Sequence, residues 1–360
     1  MPAHFSTILP GPLEGADLDR MNLVLGCARY AMDRAFAHAE HPGEFPLPAG
    51  PDSLEKLLLP SIAKLKAGAR RRMSADARER LKKATAERVA HYGEIGRNAP
   101  GPTVDALHEF KQSLGTARYQ PSDAERQQDP LEKFRLHGRA GRAAAGAVPT
   151  RLELFAQQIT CVDDTRELGK DEISLAGIRQ EATIDAASGK IAGSRAIVDP
   201  VALGKFKGGD APRPINRVLA SFDLANAPKL CTFELFIAET DVLKGFANEL
   251  KEARDFFPDH LSEIVSSIAT AGLLLGASTL LFPGSWAVWV MVLVIIAIVL
   301  LGNAIYAGLR DDVFPSRQTG IPVTAPDFTF PGGALETDVQ TAVFSKFGGT
   351  YRLDFIWRLV

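Results

Sequence analysis

Residues 264–309 read IVSSIATAGLLLGASTLLFPGSWAVWVMVLVIIAIVLLGNAIYAGL, which is 46 residues without one charged side chain. A helix needs about 20 apolar residues to cross about 30 Å of hydrocarbon, because each residue adds about 1.5 Å. Pro283-Gly284 divides the stretch into residues 264–282 and 286–309, which are 19 and 24 residues long. Both lengths suffice, and Pro-Gly-Ser is turn chemistry. The sequence therefore predicts a helical hairpin that enters a membrane and returns.

The two arms of this hairpin differ in character. The second arm is apolar on every face, which is typical of a helix in lipid or in the core of a large protein. The first arm places Gly272 and Gly276 four residues apart, and this spacing lets two helices approach closely in lipid. The residues expected to enter the membrane include Leu273, Leu274, Leu275, Pro283, Gly284, Trp286, Trp289, Leu293, Ile295 and Ile296.

A central hairpin buried inside a soluble protein is the alternative interpretation, although two adjacent apolar helices are hard to bury in a chain of 360 residues. The turn at 282–285 carries no charge, so its tip can cross a bilayer at little electrostatic cost. We therefore expect either a resident membrane protein or one that is soluble first and inserts later. Residues 1–15 lack a basic region followed by an apolar core, so no cleavable signal peptide is expected.

Composition narrows the choice of partners. The net charge of −2 and the 23% of charged residues favour no nucleic-acid partner. Cys27, Cys161 and Cys231 lie far apart, which does not favour a zinc site. Cys161 and Cys231 fall in strand-like runs, where buried thiols are favoured over a disulfide.

Hydrophobic periodicity divides the rest of the chain into zones. Helical spacing dominates from residue 18 onward, with Ser74 as a candidate N-cap for a helix over 75–92. Alternation of apolar residues predicts strands at 151–161, 217–224 and 231–238, and most clearly at 351–360. A lone terminal strand is unstable, so the last one is expected to complete the sheet that begins before residue 241.

The predicted fold class is therefore α+β: an N-terminal helical region, then an antiparallel β-sandwich-like domain that is interrupted by a two-helix hydrophobic transmembrane hairpin. The domain boundaries that follow are 1–146 for a helical domain with a polar linker and 147–241 plus 321–360 for the β-domain. Residues 242–320 form the helical lead-in and the hairpin.

The densest group of acidic residues lies between two predicted strands and includes Asp163, Asp164, Glu167, Asp171 and Glu172. Acidic loops at the end of a β-sandwich supply the oxygen ligands that Ca²⁺ prefers. The arrangement is similar to calcium-dependent phospholipid-binding β-sandwiches, and that similarity implies a Ca²⁺ site. A solvated loop, in which Arg166 and Lys170 partly neutralise the acids, is the competing interpretation.

Residues 64–88 carry ten Lys or Arg against three acids. Such an excess attracts anionic lipid by about 1 kcal/mol per residue near a membrane surface. The candidate lipid- or partner-binding residues are Arg70, Arg71, Arg72, Lys82 and Lys83. A solvated face of a helical bundle is the alternative.

Three functional hypotheses follow from these features. The first is a membrane-perturbing or pore-forming effector, such as an antibacterial toxin, that acts on a lipid bilayer and self-associates there; the hairpin resembles, in architecture, that of pore-forming colicins. The second is an integral membrane protein whose β-module binds a ligand, Ca²⁺ or a protein partner. The third is a membrane-bound enzyme, but the chain contains no GxSxG, HExxH, Walker loop or dinucleotide fingerprint, so no enzyme is predicted.

Overall fold

The computed structural model describes residues 15–49, 53–63, 65, 67–97, 138–139, 149–165, 171–184, 191–225, 227, 229–239, 246–247, 250–251, 313–314, 316–323, 326–330, 333–346 and 348–360. These residues divide between two compact units, one helical and one built from strands. The predicted succession of a helical N-terminal region and antiparallel sheets is confirmed. The apolar stretch 264–309 lies outside the described residues.

The helical unit contains α1 (Gly15–Glu40), α2 (Leu54–Ala63), α3 (Ala67–Lys82) and α4 (Thr85–Tyr92), followed by a 3₁₀ turn at Gly93–Arg97. The predicted single helix over 75–92 is wrong, because α3 begins earlier and Ser74 is buried inside it rather than capping it. The chain breaks after Lys82, where the Arg88 side chain donates a hydrogen bond of 2.6 Å to the carbonyl of Lys83. That bond satisfies a carbonyl left open by the end of α3.

A buried carboxylate joins three of these helices. Asp33 on α1 accepts two hydrogen bonds from Arg80 on α3, at 2.8 and 2.7 Å. The hydroxyl of Tyr92, at the end of α4, donates a third bond of 2.7 Å to Asp33. A buried carboxylate needs such partners to offset its loss of hydration. The helical unit thus has a polar centre within its apolar core.

The strands form two antiparallel sheets. They are β1 (Gly138–Arg139), β2 (Arg151–Asp163), β3 (Asp171–Ile184), β4 (Ile191–Phe206), β5 (Arg213–Asp223), β6 (Lys229–Glu239), β7 (Arg317–Val323), β8 (Glu336–Thr337), β9 (Gln340–Lys346) and β10 (Gly349–Leu359). The larger sheet has the order β1-β8-β10-β2-β5, with β9 also paired to β10. The smaller sheet has the order β4-β3-β6-β7.

One apolar core lies between the two sheets. It takes Leu154 and Trp357 from the larger sheet and Phe233 and Ile321 from the smaller one, all with no exposed surface. This shared core makes the β unit sandwich-like. Strand β10 pairs with β2 along Leu152–Cys161, so the terminal strand does complete a sheet that begins before residue 241, as its alternation predicts.

The close approach of α1 to the end of α4 generates a stability prediction. A Cβ built on Gly26 would overlap the carbonyl oxygen of Tyr92, whereas one on Gly68 in α3 meets nothing within 4 Å. We expect Gly26→Ala to lower the free energy of unfolding by about 1–3 kcal/mol, because the two backbones must move apart. Gly68→Ala, the matched control, should raise it by up to about 1 kcal/mol through helix propensity. Urea unfolding followed by circular dichroism measures both, and equal effects would contradict the packing argument.

Candidate functional site at the root of the apolar segment

Both ends of the segment that contains the apolar stretch are fixed in neighbouring strands. Strand β6 ends at Glu239, and its antiparallel neighbour β7 begins at Arg317. An isolated bridge joins Ala238 to Val313, and the amide of Phe314 donates a hydrogen bond of 2.9 Å to the carbonyl of Ile237. Neighbouring strands lie about 4.8 Å apart. The chain therefore leaves the smaller sheet and returns to it at almost the same point, which we call the root.

The predicted membrane residues themselves cannot be placed, because all of them lie within 264–309. Within the part of the chain that the structure describes, no helix has both the length and the apolar character needed to cross a bilayer. The hairpin thus stays a prediction.

The returning chain is anchored by Phe314 and Tyr351. Phe314 has no exposed surface, and its ring meets that of Tyr351 edge-on with centroids 5.5 Å apart. The Lys346 ammonium donates a hydrogen bond of 3.1 Å to the carbonyl of Val313. An edge-to-face aromatic pair of this kind adds about 0.5–1.5 kcal/mol beyond its buried area. Strand β10 therefore holds the return point against the sandwich.

A buried carboxylate connects the root to the loop that follows β2. Asp171, which is 1% exposed, accepts hydrogen bonds of 2.7 Å from both the amide and the hydroxyl of Thr165. The Tyr351 hydroxyl donates a further bond to Asp171, and burial together with this bond raises the pKa of Tyr351. The Thr165 hydroxyl also lies 3.3 Å from the carboxylate of Glu239, the last residue of β6. We call Thr165, Asp171, Glu239, Phe314 and Tyr351 the root network.

Cys161 lies beside this network on β2. It is a free, buried thiol, and burial raises its pKa to about 11. A thiol with so high a pKa is almost entirely protonated at neutral pH, so it is a poor nucleophile and a poor metal ligand. Cys231 is likewise a free, buried thiol, and the disulfide alternative is not formed.

The acidic residues proposed for Ca²⁺ are engaged in different ways. Asp171 is occupied by Thr165 and Tyr351, and Glu172 forms an ion pair of 2.6 Å with Lys205. Asp163 and Asp164 lie at the end of β2, and Glu167 is outside the described residues. Among the residues that the structure places, no three His, Cys, Asp or Glu side chains are arranged to hold a metal ion. The calcium site therefore stays a prediction without geometric support.

The proposed lipid-binding residues of α3 are largely paired with acids. Arg70 forms an ion pair of 2.5 Å with Glu40, and Lys83 lies 3.6 Å from Glu87. Lys82 pairs with Glu44, which also meets Arg78 at 2.9 Å. Arg71 and Arg72 are exposed. The excess of positive charge that the sequence suggests is therefore reduced by acids from the end of α1 and the loop after it.

A second buried polar group lies on the face of β6 opposite the sandwich core. Glu234 has no exposed side-chain surface, and Arg195 on β4 is 3% exposed and 3.8 Å away. The hydroxyl of Ser316, just before β7, donates a bond of 2.9 Å to Glu234. Burial raises the pKa of Glu234 and lowers the pKa of Arg195 to about 9, in each case against the attraction between the two. Burial and mutual attraction thus oppose each other in this pair, and burying it carries a cost.

Sequence reasoning missed Tyr351, Phe314, Thr165, Arg195 and Glu234. The alternation in β6 predicts one buried and one solvated face, but every residue from Lys229 to Ala238 is buried. One signal was available, since the strand reads KLCTFELFIAE and a nearly continuous apolar run is typical of a strand covered on both faces. The role of Tyr351 had no local signal, because its partner Asp171 is 180 residues away in the chain.

The buried ion pair generates a prediction with a defined pH dependence. Arg195→Met leaves Glu234 buried without its cation and should lower the free energy of unfolding at pH 7 by about 3–5 kcal/mol. The loss should shrink as the pH falls. The pKa of Glu234 is raised in the folded state, so as the pH falls Glu234 becomes protonated in the folded protein while it is still ionised in the unfolded chain, where its pKa is about 4.3. A protonated, neutral Glu234 no longer needs the cation.

Urea unfolding at several pH values measures this effect. The matched control is Arg358→Met, which removes a partly exposed partner of Glu153 at 2.9 Å and should cost about 1 kcal/mol at most. If Arg195→Met behaves like the control, or shows no recovery in acid, Glu234 does not depend on Arg195.

Comparison with known proteins gives no match: no family model, no characterised protein and no solved structure is similar to this chain. The function of this chain is therefore inferred from its own residues.

Proposed function

We propose that this protein inserts residues 264–309 into a lipid bilayer as a helical hairpin and acts there as a membrane-perturbing or pore-forming effector. The observation that carries the proposal is the uncharged stretch of 46 residues between two strands that are antiparallel neighbours in one sheet. Strands joined in this way require the intervening chain to return to its starting point. Two antiparallel crossings of a bilayer meet that requirement, and a single crossing does not.

The folded base supports this proposal. The two ends of the segment lie about 4.8 Å apart at the root and the helices of a packed hairpin lie about 8–10 Å apart, so the arms need to diverge by only a few ångströms. No unfolding of the sandwich is needed to bring the arms together. The uncharged tip at 282–285 then meets the hydrocarbon first.

Two apolar helices do not enclose water, because a channel wall needs polar faces. A pore therefore requires several copies of the chain or additional amphipathic helices. We propose self-association in the membrane as the route, with the lipid bilayer as the first partner.

A constitutive membrane anchor is the second candidate. It is favoured by the pairing of Arg70, Lys82 and Lys83 with Glu40, Glu44 and Glu87, which leaves the helical unit less attractive to anionic lipid than its sequence suggests. In that case the hairpin is placed during synthesis, and the β unit is the part that binds a ligand, Ca²⁺ or a protein partner.

Release of dye from loaded liposomes distinguishes the two candidates. Purified protein added without detergent should release the dye, and Leu293→Arg or Ile296→Arg should abolish the release, since a charge at the centre of a spanning helix costs about 2.5–3.5 kcal/mol or more. Val339→Arg is the matched control, because Val339 is 53% exposed in the β unit and the added charge is solvated there.

Retention of full release by both hairpin variants would contradict insertion through this segment. Protein that is extracted only by detergent and releases no dye would instead support the anchor.

The ion pairs of the helical unit give a second test on lipid binding. Glu44 lies between Arg78 and Lys82, so Glu44→Gln removes one negative charge and releases two cations. At about 1 kcal/mol per charge, binding to anionic vesicles should tighten about fivefold. Vesicle sedimentation measures the change, and uncharged vesicles are the control. An equal change on both vesicle types would exclude an electrostatic cause.

A further inference from the structure

We infer that the root stays closed while the apolar segment enters the membrane, so that the pairing of β6 with β3, with β7 and with Val313 is kept. This inference rests on the proposed function and adds to it that the sandwich does not open at the root. The competing mechanism is one in which β6 and β7 separate to release the segment.

The pairing of β6 within its sheet opposes opening of the root. β6 pairs with β7 over Lys229–Leu235 and with β3 over Lys229–Glu239. Its last residue is therefore still paired with β3, opposite Ile173. Separating the end of β6 breaks backbone bonds on one side at least, and the groups that lose their partners are buried.

The root network also opposes opening of the root. The Thr165 hydroxyl donates to Asp171 and lies 3.3 Å from the carboxylate of Glu239, while Tyr351 contacts both Asp171 and the ring of Phe314. The point of departure and the point of return are thus held by the same group of buried side chains. Opening the root would expose the buried ring of Phe314 and separate it from Tyr351.

Contacts on the face of β6 that lies away from the core hold the start of β7 in place. Ser316, two residues beyond the return point, donates to Glu234 on β6, and the Glu234 carboxylate is fully buried. Moving the start of β7 away from β6 would remove this donor from a buried acid. The strand is thus held on both of its faces, by Glu234 on one side and by the root network on the other.

A reversible covalent lock tests the inference. Ala238 and Val313 are direct antiparallel partners. Such partners have Cα atoms about 4.5–5.5 Å apart, within the range of about 4.4–6.8 Å that a disulfide spans. In Ala238→Cys/Val313→Cys the oxidised protein has a closed root, and the reduced protein has a free one. The three native thiols are buried and do not compete.

We expect oxidised and reduced forms of this variant to release liposome dye at the same rate, with no loss on closing the lock. A loss in the oxidised form that reductant restores would overturn the inference. Glu153→Cys/Arg358→Cys, which joins direct partners on β2 and β10, is the matched control for the effect of an added disulfide.

Amide hydrogen exchange on the unmodified protein gives the same answer if the cysteine variant does not fold. The amides of β6, β7 and Phe314 should keep their protection when vesicles are added, while faster exchange at these positions would overturn the inference. Failure of the wild-type protein to release dye would count against the proposed function. Release by the wild type with loss on locking would count against the closed root alone.

Discussion

Strand β6 is hydrogen-bonded to β3 on one side and to β7 on the other, and every residue from Lys229 to Ala238 is buried. A strand in this position has no solvated edge and no solvated face, so each of its polar groups must find a partner inside the protein. Its sequence meets this condition with few polar side chains. Lys229, Thr232 and Glu234 are the exceptions among the buried residues of the strand; Lys229 donates a hydrogen bond of 2.8 Å to Glu181, and Glu234 is met by Arg195 and Ser316. The chain that contains the apolar stretch therefore leaves the sheet from a strand that is paired on both edges and buried on both faces.

The need of buried polar groups for partners also explains why buried carboxylates lie at joints, the places where several helices or strands of this protein meet. Asp33 joins α1 to Arg80 of α3 and to Tyr92, and Asp171 joins the loop after β2 to Tyr351 of β10. A carboxylate accepts several hydrogen bonds at once, so it fixes elements that meet from different directions. Its burial is costly, and removing one donor leaves the cost without its compensation. Such joints give a specific arrangement rather than a large gain in stability.

The sequence predicted those features that repeat along the chain. The alternation of Tyr351, Leu353 and Phe355 predicted a half-buried strand and its membership of the sheet, because successive side chains of a strand point to opposite faces and the pattern is visible within a few residues. The break between α3 and α4 was missed, since Arg88 reaches the carbonyl of Lys83 through its side chain and no propensity reports that bond. Charge counting likewise does not report the partner of Lys82, which is Glu44 in a loop, or the partner of Asp171, which is Tyr351 on a distant strand. Polarity predicts whether a side chain prefers water, but not which partner replaces water once the chain has folded.

The topology of the root also limits what the apolar segment can do. The chain that contains the segment leaves the sheet after Ala238 and returns to it at Val313, and these two residues are bridge partners. The segment therefore lies in a loop that is closed on a folded base and not in a tail. Loop-closure entropy grows slowly with length, and the long segment therefore adds little strain to the sheet that carries it. Under the proposed insertion, a closed loop crosses the bilayer an even number of times, which would place both sheets on the same side of the membrane. If the root holds, insertion changes only the environment of the loop, and the free energy that drives it comes from transferring uncharged residues into hydrocarbon rather than from rearranging the sandwich.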